Sequence, residues 1–291
     1  MAAIVLDGVA GARDVYAALA KRVAALASHN VRPGLAAVQV GDNPASKIYI
    51  RNKIRACSAA GIHSIVEALP ADTTSNQLID ALQKLNGNPE IHGILVQLPL
   101  PGHLPPTLVA RVVAPRKDVD GLTWHNLGAL LAGQPQFEPC TPRGVIRLLE
   151  SAGILIAGRD AVVVGRSTIV GKPMAMMLTA RSATVTMCHS RTGNLGRYTR
   201  NADILVVAAG RPGLIRGDMV KPGAAVIDVG INRGDSGIMG DVDYAGVEKV
   251  AGWITPVPGG VGPMTIAMVI ENTVQAAEQA GVSERLSASP L

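Results

Sequence analysis

The chain has 291 residues, 48% of them apolar, a formal net charge of +5, and only one Phe, two Trp and four Tyr. That length builds one large domain or two ordinary ones around a sizeable core, and scattered basic residues without a dense stripe or stacking aromatics argue against nucleic-acid binding. Met1 to Val9 lacks the basic start and apolar core of a secretory signal, and no apolar run reaches the ~20 residues of a membrane span, so a cytoplasmic protein away from membranes is expected.

An interior poor in aromatics is built from Ala, Val, Ile and Leu, which suits buried parallel strands covered by helices. Cys57, Cys140 and Cys188 are odd in number and widely spaced, so neither a disulfide framework nor a zinc site is indicated.

In chain order, Val15, Leu19, Val23 and Leu26 recur at three or four residues and predict an amphipathic helix over 10–27. A short buried strand follows at 35–40, then turn chemistry at Gly41 to Pro44 and a helix over about 45–60 closed by Gly61. A strand at 64–69, a helix at 75–85 and a strand at 92–97 continue the alternation, which predicts a parallel α/β sheet. Residues 115–142, rich in Pro and Gly, are expected to be irregular and to mark a domain margin, and a helix is expected from Thr141 to Ser151.

From Ala161 the alternation restarts, with strands expected at 161–165, 184–188, 203–208 and 224–229. Gly237 to Val242 is expected to be a tight turn, and a helix is expected over 264–279 before a polar, frayed tail from Ser283. The fold class is therefore α/β, as two lobes.

The stretch from Gly158 to Pro173 sends a β-branched run into a glycine-punctuated loop and then a helix, the layout of a dinucleotide-binding turn. Ser167 and Val170 stand where G-x-G-x-x-G has glycine, so a plain buried strand-turn-helix stays open on this stretch alone. Past the second strand of this lobe, no acid waits for a ribose 2′-hydroxyl; Ser190 and Arg191, with Arg166, would suit the 2′-phosphate of NADP.

Tyr49 and Lys53, four apart, share one helix face and are either an exposed surface pair or a cleft-facing acid/base group. Gln97 ends an apolar strand, where open α/β sheets bind ligands or where an amide simply bonds backbone. Lys117-Asp118-Val119-Asp120-Gly121 places two acids in a loop, with a surface turn as the default. His189 reads as a strand-end hydrogen-bonding residue rather than a catalytic one. The histidines show no metal spacing, and neither a nucleophile elbow nor a P-loop lysine is present.

Taken together and in order, Gly41-Asp-Asn-Pro-Ala-Ser46 with Tyr49-x-x-x-Lys53, Val96-Gln-Leu-Pro-Leu-Pro101, Lys117 to Leu122, Pro139-Cys-Thr-Pro142, Val164 to Pro173, Asp228-Val-Gly-Ile-Asn232 and Pro256 to Thr265 resemble the bifunctional methylenetetrahydrofolate dehydrogenase/methenyltetrahydrofolate cyclohydrolase family. The resemblance implies an N-terminal folate-binding lobe (1–141, completed by a C-terminal helix at 265–291) facing a Rossmann NADP lobe (142–264) across a cleft, in a homodimer. It implies oxidation of 5,10-methylenetetrahydrofolate with NADP⁺ and hydrolysis of the methenyl product to 10-formyltetrahydrofolate.

By the same resemblance Lys53 is the general acid/base with Gln97 as its partner, Tyr49 lies along the aminobenzoyl ring and Asp120 bonds the pterin. Thr141, Gly165, Arg166, Ser167, Ser190, Arg191 and Ile231 are implied NADP contacts. Leu98, Pro99, Pro258, Gly259, Gly260, Gly262, Pro263 and Thr265 are implied substrate contacts, and no metal is implied. The methenyl product is cationic, so proton exchange by Lys53 requires that its ammonium pKa be lowered. A shikimate-type dehydrogenase, which would lack the Tyr49/Lys53/Gln97 set, and a non-catalytic folate or nucleotide sensor are the rival readings.

Overall fold

The structure is a computed structural model; it describes residues 2–234 and 237–288, the side chains of Ala45 and of 282–288 excepted. In order the elements are β1 (Ile4–Val5), α1 (Gly8–Ala27), β2 (Gly34–Val40), α2 (Pro44–Ala59), β3 (His63–Leu69), α3 (Ser75–Gly87), β4 (Gly93–Val96), α4 (Thr107–Val112), α5 (Trp124–Leu131) and α6 (Cys140–Ser151). Then come β5 (Asp160–Val164), α7 (Gly171–Ala180), β6 (Thr184–Cys188), α8 (Leu195–Thr199), β7 (Ile204–Val207), β8 (Ala225–Asp228), β9 (Asn232–Gly234), β10 (Gly237–Met239), α9 (Tyr244–Val247), β11 (Trp253–Ile254) and α10 (Val261–Ala288).

The chain divides into two compact units. One comprises Asp14–Glu138 with Ile266–Leu291, the other Met1–Arg13 with Pro139–Thr265. The first holds a three-stranded parallel sheet in the order β3-β2-β4. Its central strand β2 is buried at every residue, as a parallel strand covered on both faces should be. Against β2 and β4 pack Leu78, Leu82 and Leu85 of α3. That helix starts at a capping box, where the Thr74 hydroxyl accepts from the Gln77 amide and the Gln77 side chain accepts from the Thr74 amide.

The second unit holds a six-stranded sheet in the order β1-β11-β8-β7-β5-β6, parallel throughout. Counted from β5, its five sequential strands run 2-1-3-4-5, so the order reverses between β5 and β7. In open α/β sheets ligands bind outside the carboxyl ends of the strands at that reversal.

Several expectations need correction. Residues 1–13 contribute β1 to the second unit's sheet rather than to the N-terminal lobe. The stretch expected to be irregular contains α5, whose first turn is capped by the Thr123 hydroxyl accepting from the Asn126 amide. Gly237–Met239 is not a turn but one arm of an antiparallel hairpin with β9. The last helix begins at Val261, three residues early, with Pro263 tolerated in its first turn. The side chains of the tail expected to fray from Ser283 lie outside the described residues.

Candidate functional site

In the first unit, α2 turns Ser46, Ile50 and Cys57 into the core. With Lys53 these positions are spaced 4, 3 and 4 apart, one stripe of a helix. Lys53 therefore grows from the core-facing side of α2 and is half-buried, as is Tyr49 one turn before it. Lys53 Nζ donates to Gln97 Oε1 across 3.2 Å. Gln97 stands just past β4, its own amide donating to the Val38 carbonyl at 2.9 Å and its side-chain Nε2 to the Leu98 carbonyl at 2.7 Å. Both ends of the Gln97 side chain are thus committed, and its oxygen is aimed at the lysine. Leu98 is half-buried, Pro99 is exposed, and the peptide bond between them is cis.

Two further titratable groups stand near. Burial pushes the Cys57 thiol up to about 12, with the positive charge of Lys53 acting the other way. Burial likewise pushes the Tyr16 hydroxyl up to about 12. Burial thus favours the protonated form of both groups.

The Lys117–Gly121 loop is not a surface turn. Lys117 is 8% exposed, Asp118 4% and Val119 0%. Lys117 Nζ donates to the carbonyls of Leu85 (3.2 Å) and Asn88 (2.6 Å) at the end of α3, and burial lowers its pKa. The Asp118 carboxylate accepts from the amides of Leu122 and Thr123 and from Asn126 Nδ2. Asp118 thereby builds the loop, and Asp120, two residues further on, is half-buried.

In the second unit, the loop from Gly165 to Val170 leaves the carboxyl end of β5 at the order reversal. Gly165 has φ +137°, and a Cβ there would overlap the Ala208 carbonyl oxygen past β7. A Cβ at Gly171 would overlap the Gly165 carbonyl. Glycine is thus demanded at 165 and 171, and 167 and 170 are free to carry side chains. The Ser167 hydroxyl uses that freedom, accepting from the amides of Val170 (3.2 Å) and Gly171 (3.3 Å) at the start of α7.

Arg166, Ser167, Ser190, Arg191 and Ile231 are all exposed around the same strand ends. No acid follows β6, so the side chains of Arg166, Ser190 and Arg191 suit a phosphorylated ribose. The glycine-lined loop, its neighbouring cations and the opening of α7 fit a dinucleotide.

The Thr141 hydroxyl accepts from Thr265 Oγ1 at 3.2 Å, which joins the first turns of α6 and α10. Gly262 and Pro263, expected to precede the helix, lie on α10 together with Thr265; Pro258, Gly259 and Gly260 form the loop before it. That loop is seated on Gly8, whose amide donates to the Gly259 carbonyl at 3.0 Å and which has no room for a side chain against Gly260.

Sequence reasoning missed Asp228 and Asp241, both fully buried at the carboxyl end of β8. Their signal was the pair of glycines, 230 and 240, each pressed against the other acid. No cluster of His, Cys, Asp and Glu suited to a metal ion exists among the described residues. Among them, no helix is long and apolar enough to cross a membrane.

A parallel sheet with a glycine-lined loop at its order reversal, in a chain whose other unit presents a lysine held by an amide, defines a dinucleotide-dependent α/β enzyme. Residues 6–120 match the tetrahydrofolate dehydrogenase/cyclohydrolase catalytic domain and residues 139–281 the NAD(P)-binding domain of the same name. The chain belongs to the tetrahydrofolate dehydrogenase/cyclohydrolase family.

Bifunctional protein FolD of Bordetella avium is 58% identical over 280 residues, 96% of this chain and 99% of that one. The crystal structure of the bifunctional FolD methylenetetrahydrofolate dehydrogenase/cyclohydrolase from Campylobacter jejuni has a TM-score of 0.94 at 48% identity, covering 96% of this chain and 99% of that one. The FolD of Trypanosoma brucei, complexed with NADP and an inhibitor, has a TM-score of 0.93 at 38% identity, with 97% and 99% covered.

Proposed function

We propose that the chain oxidises 5,10-methylenetetrahydrofolate to the methenyl form with NADP⁺ and hydrolyses that product to 10-formyltetrahydrofolate, with Lys53 as the acid/base group of the second step. The observation that carries the assignment is the 3.2 Å bond from Lys53 Nζ to Gln97 Oε1. A neutral amide positions the amine without adding the charge stabilisation that a carboxylate would.

Water attack on the methenyl carbon and opening of the ring require a group that takes a proton and returns it. Lys53 Nζ would do both while Gln97 holds it in place. Tyr49, Leu98, Pro99 and Asp120 are assigned to the folate, as is the segment from Pro258 to Thr265. Bound NADP⁺ would supply the hydride acceptor. Arg166, Ser190 and Arg191 would receive its 2′-phosphate, Gly165 would allow close backbone approach, and Ser167, Thr141 and Ile231 would flank it.

We infer further that the protein acts in the cytoplasm as a homodimer. β3 is the outer strand of its sheet and carries Val66 at 46% exposure, an edge suited to pairing with a second copy.

The test is spectroscopic. Wild type with methylenetetrahydrofolate and NADP⁺ should generate NADPH and then formyl product. Lys53→Met should still generate NADPH but accumulate the methenyl compound, its hydrolysis slowed ~10²–10⁴-fold. Full hydrolysis by Lys53→Met would overturn the assignment of Lys53.

A further inference from the structure

Asp241 is 0% exposed, and its carboxylate is surrounded by donors. Oδ2 accepts from the amides of Ala209 (2.6 Å) and Gly210 (2.8 Å), and Oδ1 from the amide of Arg211 (2.8 Å) and from Asn232 Nδ2 (2.8 Å). Three successive amides converging on one anion form a nest. Here the protein supplies the anion itself. The turn after β7 is therefore unavailable as a phosphate cradle, and it is pinned.

Asp228, at the end of β8 and 3% exposed, does the same for the neighbouring loop. Its Oδ1 accepts from the amides of Gly230 (2.9 Å) and Asp241 (3.0 Å), its Oδ2 from that of Val242 (2.9 Å). The Asp228 amide donates to the Thr255 hydroxyl at 2.8 Å. A Cβ on Gly230 would overlap the Asp241 carboxyl, and one on Gly240 would overlap Asp228, so the two acids fit only between glycines.

The loops so held, 208–211 and 229–232, leave the carboxyl ends of β7 and β8 beside the Gly165 loop and carry Ile231 at 49% exposure. We propose that Asp241, seated on Asp228, is a positioning residue for the dinucleotide, fixing the turn after β7 and the Ile231–Asn232 segment in the conformation that receives it. This inference rests on the NADP reading of the second unit. It assigns binding of that cofactor, and not the proton chemistry of Lys53, to the acid pair.

Asp241→Asn keeps the volume but puts an NH2 group against amides that need an acceptor. The variant should weaken NADP binding on the order of tenfold, read by titration and as KM for NADP. kcat at saturating NADP and KM for the folate should change less than twofold. In the free protein, the amides of Ala209, Gly210 and Arg211 should lose hydrogen-exchange protection.

Asn232→Ala, which removes one donor and leaves both acids, should shift NADP affinity the same way by a smaller factor, and it serves if Asp241→Asn does not fold. Unchanged NADP affinity in a folded variant, or parallel loss of kcat and of both KM values, would overturn the positioning role alone. Failure of the wild type to bind NADP would overturn the nucleotide reading together with it.

Discussion

Lys53 Nζ donates to Gln97 Oε1 across 3.2 Å, so a side chain from the inner stripe of α2 meets the carboxyl end of β4. Gln97→Glu retains an oxygen at that distance but makes it anionic. A carboxylate so close favours the ammonium, by roughly one to three pKa units for close pairs. The cyclohydrolase pH profile should move to alkaline pH accordingly, with the hydride step little changed. A pH–rate profile measures this, and an unmoved profile would mean that Lys53 is not the titrating group.

Gly165→Ala should damage the second unit selectively. Its φ of +137° disfavours any L side chain, and the new methyl would meet the Ala208 carbonyl. Strain and overlap together should cost about 1–3 kcal/mol. Thermal melting should show that loss, and titration should show weaker NADP binding; an unshifted melt would mean that the loop relaxes freely.

Cofactor choice follows from the missing acid after β6. Arg166→Ala should lower kcat/KM for NADP on the order of tenfold and leave the value for NAD nearly unchanged, because only NADP presents the extra phosphate. Equal effects on both cofactors would place Arg166 elsewhere than on that phosphate.

The pH dependence of stability tests the buried acid pair. Burial, more than the neighbouring Asp241 charge, raises Asp228 from 3.8 to about 6, against the pull of its three amide donors. A raised acid contributes stability while it is protonated. The contribution is full below pH 3.8 and is lost as pH rises through about 6. Two units correspond to about 3 kcal/mol. The melting temperature of wild type minus that of Asp228→Asn should therefore fall between pH 4 and 7. The opposite slope would show that the three amides outweigh burial.

The strands that proved legible, such as 161–164 and 204–207, are β-branched runs between turn residues, and the sheet class followed from their alternation with helices. β1 and β11 were not, because two residues carry no periodicity and owe their conformation to the sheet they join. α5 was hidden by flanking Pro and Gly. Lys117 and Asp118 looked like a surface turn because the carbonyls that hold Lys117 are distant in sequence, while Asp118 turns back onto the amides just after it. Lys53 could have been read as inward-facing from its helical spacing with Ser46, Ile50 and Cys57, a periodicity that the Tyr49–Lys53 pairing masked. Asp241 needed the fold, since its donors come from two segments, 209–211 and Asn232, that lie apart from it in sequence.

One pairing orders the making of the protein. β1, at Ile4–Val5, lies at the margin of its sheet against Trp253–Ile254. On a growing chain the first strand emerges with nothing to join until almost all the rest has been synthesised. Removing the first thirteen residues would strip β11 of its outer neighbour and open a fresh sheet edge. A segment made ahead of the rest of its sheet is therefore the cover added last.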